Sequence, residues 1–491
     1  MKILMVSAEA MPFAKTGGLA DAVSAMAVAL SDRGHDVRIV LPRYYRIDRK
    51  QLVMLNGPLG IAAGQTEAWT AVYKSCVPAA PDVTVYFIDH EQSFGRDGIY
   101  GTKLEPDFYD NPYRFALLCH GALQLCRKLD WYPDIVHAHD WSAALIPVLI
   151  KNVVRHGAFA RTASVFTIHN MGYQGVYPKD AFPALGIDWG LYYGAGIERH
   201  GGLNLLQGGI SCADMITTVS PTYAREIQTV EGGFGLDGLL RVRSDVVTGI
   251  LNGCDITTWN PETDALLPKN YSVENLTGKT QCKAALQKRM GLPVRDDVPV
   301  IGMITRLVDQ KGVAEVFAPT YGSLFALCTT MDIQFVVLGN GERWCEDEIN
   351  TLQAKLPNFR AYIGYDEALS HLIEAGSDFF LMPSHYEPCG LNQMYSLRYG
   401  TLPIVRRTGG LADTVTNYNE ATGAGTGFMF DAITPGAVYD TVGWAVYAWY
   451  NKKEHIQKMR RRGMQQDFSW DTSAQKYEAV YREALARGCG C

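Results

Sequence analysis

The stretch ITRLVDQKG sets Arg306 and Lys311 five residues apart, directly after an apolar run and directly before Gly312. A planar guanidinium fork and a compact ammonium in that position suit a diphosphate that gains charge as a bond to it breaks. A solvated loop would carry the same pair. Farther on, SHYEPCGLNQ presents Glu387 and Cys389 just ahead of a helical pattern, whose first N–H groups carry partial positive charge. Two near-copies of one phrase accompany these groups, KTGGLAD at Lys15 to Asp21 and RTGGLAD at Arg407 to Asp413. Each puts a Gly-Gly pair at the entrance to a helix, where backbone amides can approach an anion, and Lys15 adds a mobile full charge. Neither copy is GxGxxG or a P-loop, and the strand end before the first carries Ser7, Ala8 and Glu9 instead. Taken alone, a Gly-Gly before a helix is equally a tight turn with no ligand.

Two further clusters end strands. SVFTIHN closes on His169 and Asn170, and HAHDW carries His137, His139, Asp140 and Trp141, with the two histidines on one strand face by period two. A lone histidine at a strand end is commonly a structural hydrogen-bonding residue, and HAHDW read by itself could merely terminate a strand. The eleven cysteines show no paired metal spacing, and no Asp/Glu cluster at a strand end has the spacing of a magnesium site, which is compatible with chemistry that uses neither metal nor cofactor. The terminal Cys489-Gly490-Cys491 is read as a frayed tail rather than a metal or disulfide pair.

Groups so far apart in sequence need a scaffold that brings strand ends together. KILMVSA, DVRIVLP, VTVYFID, DIVHAHD, SVFTIHN and MITTVS are short, β-branched runs separated by helical stretches such as ADAVSAMAVALSDRG and FALLCHGALQLCRKL. After the irregular LNGCDITTWNPETD the alternation restarts with VPVIGMI, IQFVVLG, FRAYIG, SDFFLMP and LPIVRR. This predicts an α/β protein of two Rossmann-like, doubly wound domains facing a deep cleft. The boundaries are placed at 1–249, 250–466 and 467–491. The last segment, WDTSAQKYEAVYREALAR, is an amphipathic helix with an Asp N-cap that packs back on the first domain. At 491 residues two domains are the ordinary expectation. A net charge of −6 removes the basic excess that a nucleic-acid partner needs. No segment is apolar enough for a membrane span or a signal sequence, which reads as a cytoplasmic chain without a membrane partner.

In series, KTGGLADAV, HAHDW, FTIHNMGYQG, VSPTYAREI, LNGCD, TRLVDQKG, EPCGLNQ and RTGGLADTV resemble the bacterial-type glycogen synthases and the related plant starch synthases along the whole chain. The resemblance implies the GT-B architecture and a retaining, metal-independent transfer of glucose from ADP-glucose to the non-reducing end of an α-1,4-glucan. It assigns catalysis to Asp140, His169, Arg306, Lys311 and Glu387. It assigns donor binding to Lys15, Thr16, Gly18, Asp21, Asn252, Tyr365, Cys389, Gly390, Leu391 and Asn392, with Tyr365 stacking on the base. On the acceptor side it assigns Glu9, Tyr109 and Trp141. Cys389 has the look of a nucleophile, but this chemistry needs no thiolate, and packing against substrate suits it better.

Two positions depart from the relatives. CGLNQ carries Asn392 where many read threonine or an aliphatic residue, which predicts activity with altered donor affinity. Tyr395 stands where a neighbouring family has a second glutamate, and so weighs against that family. The alternatives are another retaining GT-B transferase, using UDP-glucose or a small acceptor, and a glucan-binding protein that has lost catalysis. The complete charged set gives no support to a dead site. Stacking on Tyr365 tolerates any base, so the nucleotide follows from the resemblance alone.

Overall fold

A computed structural model describes residues 1–64 and 66–488; Cys489 and Cys491, read above as a tail, lie outside the described residues. The chain forms two compact units, Met1–Gly253 together with the segment from Trp470 onward, and Cys254–Ser469. It passes between them a few residues beyond the expected positions after 249 and 466.

The first unit is built on β1 (Lys2–Val6), β2 (Asp36–Pro42), β3 (Ala80–Asp89), β4 (Ile135–His139), β5 (Ala163–Ile168), β6 (Met215–Thr218) and β7 (Val247–Gly249), in the parallel order β7-β6-β5-β4-β1-β2-β3. β4 and β5 are buried along their whole length, with His137, His139, Ser164 and Thr167 as buried polar groups among their apolar residues. Chain order reverses at β1, which pairs with β2 on one side and β4 on the other. Beyond β3 lies an antiparallel ribbon, Thr66–Val77 with Leu59–Ala63 and Val53–Met54, that the strand reading did not include. Helix α1 (Gly18–Asp32) starts directly at the first Gly-Gly pair, and α2 (Asn111–Lys128) follows the irregular segment after β3.

The second unit holds β8 (Val300–Leu307), β9 (Gln334–Gly341), β10 (Phe359–Ile363), β11 (Phe379–Met382), β12 (Leu402–Arg406) and β13 (Phe428–Phe430) in the order β10-β9-β8-β11-β12-β13. All pairs are parallel. Period two sends Ile301, Phe335, Val337, Phe379 and Ile404 into one core and Val300, Val336, Leu338, Phe380 and Val405 into another, so both faces of the sheet are covered. Each such side chain contributes roughly 1.5–3 kcal/mol by leaving water. Helices α3 (Asn392–Arg398) and α4 (Gly409–Thr414) follow β11 and β12. The connection entering this unit is held by Trp259, stacked between His371 at 3.8 Å and Tyr395 at 4.2 Å. Position 395 is thus an aromatic packing site.

The last helix, α5 (Trp470–Gly488), belongs to the first unit and lies against α1 and β5. Its Asp471 is inside the first turn rather than at the cap as expected, where its charge still suits the helix start and pairs with Arg33 at 2.8 Å. Glu478 takes Arg33 and His35 at 3.0 and 2.9 Å, while Ala474, Tyr477, Tyr481 and Ala484 are buried.

Candidate active site

In open parallel sheets, ligands bind beyond the carboxyl ends of the strands where chain order reverses. In the first unit that point lies between β1 and β4, and in the second between β8 and β11. The residues with chemistry cluster at both.

β1 leads through Ser7 and Ala8 to Glu9, which is 2% exposed. Its carboxylate accepts the Thr16 N–H at 2.5 Å, the Thr16 hydroxyl at 2.7 Å and the Tyr100 hydroxyl at 2.9 Å. Those bonds fix the loop that starts α1. Glu9 therefore anchors the loop from within. Gly17 is extended, with φ −157°, and the loop from Lys15 to Gly18 is exposed. Lys15 Nζ lies 2.8 Å from Asp21, with the two side chains 46% and 32% exposed. A surface pair of that kind contributes about 0–1 kcal/mol, so Lys15 gives it up cheaply for an anion.

At the end of β4, Asp140 has φ +56° and ψ −179°, a region that side-chain-bearing residues rarely enter. Its N–H donates to the Thr167 carbonyl at 2.9 Å, and its carboxylate accepts the His169 N–H at 2.7 Å. The strained turn thus joins the ends of β4 and β5. Burial pushes the Asp140 carboxyl up to about 7, opposed by the amides of His169 and Asn170 and reinforced by the charge of Glu9. Burial pulls the His169 imidazole down to about 3, which keeps it neutral. Its Nε2 lies 3.1 Å from Nδ1 of His139. Trp141 is 8% exposed and packs with Phe115 at 5.0 Å and Tyr100 at 5.8 Å. Tyr109 is exposed, and Asn252 is buried with its side-chain carbonyl unpaired among the described residues.

In the second unit Arg306, next to last in β8, is exposed and without an ion pair among the described residues. Lys311 follows, and Gly312 with φ +67° closes the turn; a methyl there would sit 1.9 Å from the Pro383 carbonyl oxygen. That close approach brings Lys311 Nζ to 2.6 Å from Glu387, whose carboxylate also accepts the Ser384 hydroxyl at 2.9 Å. So Lys311 is already paired, while Arg306 is not. Cys389 is buried, and its carbonyl accepts from the Gln393 side chain at 3.0 Å. Asn392 donates its amide to the Ile304 carbonyl at 2.8 Å, tying the start of α3 to the strand that carries Arg306. Tyr365 is 80% exposed after β10. The second Gly-Gly pair is buried, and the Gly410 N–H donates to the Glu387 carbonyl at 3.0 Å.

Three groups with a part in these clusters were not singled out from sequence: Tyr100, Ser384 and the His139 contact to His169. Ser384 lies in the same SHYEPCG phrase as Glu387 and was legible there. Tyr100 lies in irregular chain with no periodicity to mark it.

Residues 2–242 match the family described as starch synthase catalytic domain, and residues 287–463 match glycosyl transferases group 1. A glycogen synthase of Treponema denticola is 58% identical over 487 residues, covering 99% of each chain. The chain belongs to the glycogen synthase family. Glycogen synthase 1 of Geobacter metallireducens is 46% identical across 100% of this chain and 97% of its own. Among solved structures, the catalytic domain of starch synthase IV from Arabidopsis thaliana, bound to ADP and acarbose, superposes with TM-score 0.88 at 32% identity over 99% of both chains. A sucrose-phosphate synthase from Thermosynechococcus elongatus, at TM-score 0.60 and 15% identity, shares the fold alone. As a member of the family this protein is a GT-B glycosyltransferase that adds glucosyl units in glycogen elongation. No helix among the described residues is long and apolar enough to cross a membrane.

Proposed function

We propose that the donor is ADP-glucose and that the transfer makes an α-1,4 bond at the non-reducing end of a glucan with retention of configuration. The observation that carries the donor assignment is the 32% identity over 99% of both chains with a starch synthase domain holding ADP. In this reading Arg306 and Lys311 bind the diphosphate, and their positive charge matters most as the glycosidic bond breaks and charge builds on the leaving oxygen. Lys311 then divides itself between Glu387 and phosphate. Glu387, held by Lys311 and Ser384, engages the glucosyl hydroxyls and steadies positive charge near the anomeric carbon. Retention follows if the acceptor hydroxyl enters on the face the diphosphate leaves and gives its proton to the departing phosphate, so that no enzyme nucleophile is required, unlike a retaining hydrolase.

On the other unit, Lys15, Thr16, Gly18 and Asp21 meet the donor's phosphate and sugar, with Lys15 exchanging its exposed partner for phosphate. Asp140 and His169 lie beside the transferred glucose, Asn252 contacts the sugar, Tyr365 stacks on adenine, and Cys389, Gly390 and Leu391 line the donor. Tyr109 takes the acceptor, with Glu9 and Trp141 supporting that side through the loop and wall they hold. A cytoplasmic location agrees with the nine cysteines that are free thiols among the described residues. Incubation with glycogen and labelled ADP-glucose or UDP-glucose, without added metal, tests the reading. Polymer-bound label is expected to accumulate faster from ADP-glucose. Faster incorporation from UDP-glucose would reassign the donor, and no incorporation from either would overturn the function.

A further inference from the structure

We propose that His139 is a positioning residue that fixes the tautomer of His169, donating its Nδ1–H to Nε2 of His169 and so leaving His169 with its proton on Nδ1. The proposal rests on the reading of His169 as a neighbour of the transferred glucose only for its catalytic consequence, not for the tautomer itself.

The geometry begins with two strand ends in register. β4 and β5 pair with His139 opposite Thr167, which sets His169 just past the end of the neighbouring strand. The rings of His139 and His169 have centroids 5.4 Å apart, and the bridging nitrogens lie at 3.1 Å. Both rings are buried, and burial holds both imidazoles in the neutral form, so one proton per ring must be placed. Only one nitrogen of the bridging pair can be the donor. If His169 donated from Nε2, the proton of His139 would sit on its own Nε2, a fully buried atom with no hydrogen-bond partner among the described residues. A buried N–H without an acceptor is the more costly arrangement, whereas an unused nitrogen lone pair is tolerated better. The proton of His139 therefore belongs on Nδ1.

His139 is itself held from behind. The His137 ring lies against it at 4.2 Å with a 31° tilt, its Nδ1 meets the Tyr481 hydroxyl at 2.9 Å and its Nε2 meets the Thr167 hydroxyl at 2.5 Å. Since the tyrosine hydroxyl is a natural donor to Nδ1, the His137 proton lies on Nε2 and is donated to Thr167, which passes its own to Thr217 at 2.5 Å. The last helix thus supports a column of oriented rings that ends at His169. With Nδ1 protonated, His169 offers a hydrogen-bond donor to whatever faces that nitrogen, and a sugar hydroxyl there is bound through its oxygen lone pair.

Long-range proton–nitrogen spectra of protein labelled with ¹⁵N-histidine read the tautomer directly, with His169 assigned by its loss in His169→Gln. Signals of a protonated Nδ1 and a bare Nε2 are expected, and the opposite pattern would overturn the proposal. Turnover gives a second readout. His139→Asn keeps an N–H at the place of Nδ1 and is expected to retain kcat within about threefold, whereas His139→Leu removes it and lowers kcat about tenfold or more at little change in donor KM. Equal turnover in the two variants would sink the positioning role. His169→Ala at full activity would instead refute the placement of His169 beside the glucose, leaving the tautomer assignment standing.

Discussion

A methyl group added at Gly17 would meet no atom within 4 Å, whereas one added at Gly409 would lie 1.9 Å from the Glu387 carbonyl oxygen. These glycines occupy the same place in two copies of TGGLAD. In the first copy the residues from Lys15 to Gly18 are exposed, and the Thr16 backbone is pinned from inside by the carboxylate of Glu9. In the second copy both glycines are buried, and the chain after β11 runs so close that Gly409 and Gly410 would each clash with backbone carbonyls of Glu387 and Cys389. The first pair leaves a backbone face open to a ligand. The second makes room for a neighbouring loop and, through the Gly410 N–H on the Glu387 carbonyl, sets that loop's height. Identical letters answer two different steric demands. The cations that lead the copies follow suit, since Lys15 pairs with Asp21 inside its own copy, while Arg407 pairs with Asp431 beyond β13.

The contrast sharpens when the residues each copy serves are removed. Lys311→Ala takes away the cation 2.6 Å from Glu387 and is expected to lower kcat by roughly 10²–10³, the usual cost of one preorganised donor to a developing negative charge. Steady-state kinetics with saturating donor would show it, and unchanged turnover would end the diphosphate role. Gly410→Ala comes next. Its methyl meets backbone atoms that cannot rotate aside, so the SHYEPCG loop must shift, destabilising the fold by about 1–3 kcal/mol and lowering kcat through misplacement of Glu387. Thermal melting and turnover should fall together. A Gly410→Ala protein that melts like the parent would show that the buried copy is not sterically required.

How far these differences were readable beforehand depended on burial. The central parallel strands were plain because both faces are covered and the chain spells nearly continuous apolar runs such as ILMV and VIGMI. The ribbon Thr66–Val77 was missed because only one face is buried, and TEAWTAVYKSCV mixes polar and apolar residues in a way that also suits irregular chain. The charged residues at the strand ends were visible as motifs, and each unit gathers its own set at its reversal of strand order. What the motifs did not carry was the inward orientation of Glu9 and Trp141. That depends on Tyr100, which reaches both from a loop of no regular pattern. The same limit hid the use of the second Gly-Gly pair, because nothing in RTGGLAD says which backbone passes over it.

The first copy is the more tolerant of change in its anchor. Glu9→Gln keeps an oxygen to accept from Thr16 but replaces the other acceptor with an amide that faces donors. The expected loss is about 1–3 kcal/mol in stability of the loop's seating. It should appear as a raised donor KM more than as a lower melting temperature, since the loop is exposed and the core beneath it is unchanged. A fall in melting temperature as large as that of Gly410→Ala, with donor KM unchanged, would mean that Glu9 serves the core rather than the loop.

Gly17→Ala is the smallest change and the most discriminating. At φ −157° an alanine is unstrained, and the added methyl touches nothing, so folding stability should move by less than about 0.5 kcal/mol in either direction. Space that is empty in the protein is, in the proposed reading, where the donor's phosphate and sugar approach the amides. The methyl would then intrude on the ligand alone, raising donor KM while melting temperature and the structure of α1 stay as they were. If Gly17→Ala binds donor like the parent, the open face of KTGGLAD is only a turn, and Lys15 must meet the phosphate without help from the backbone beside it.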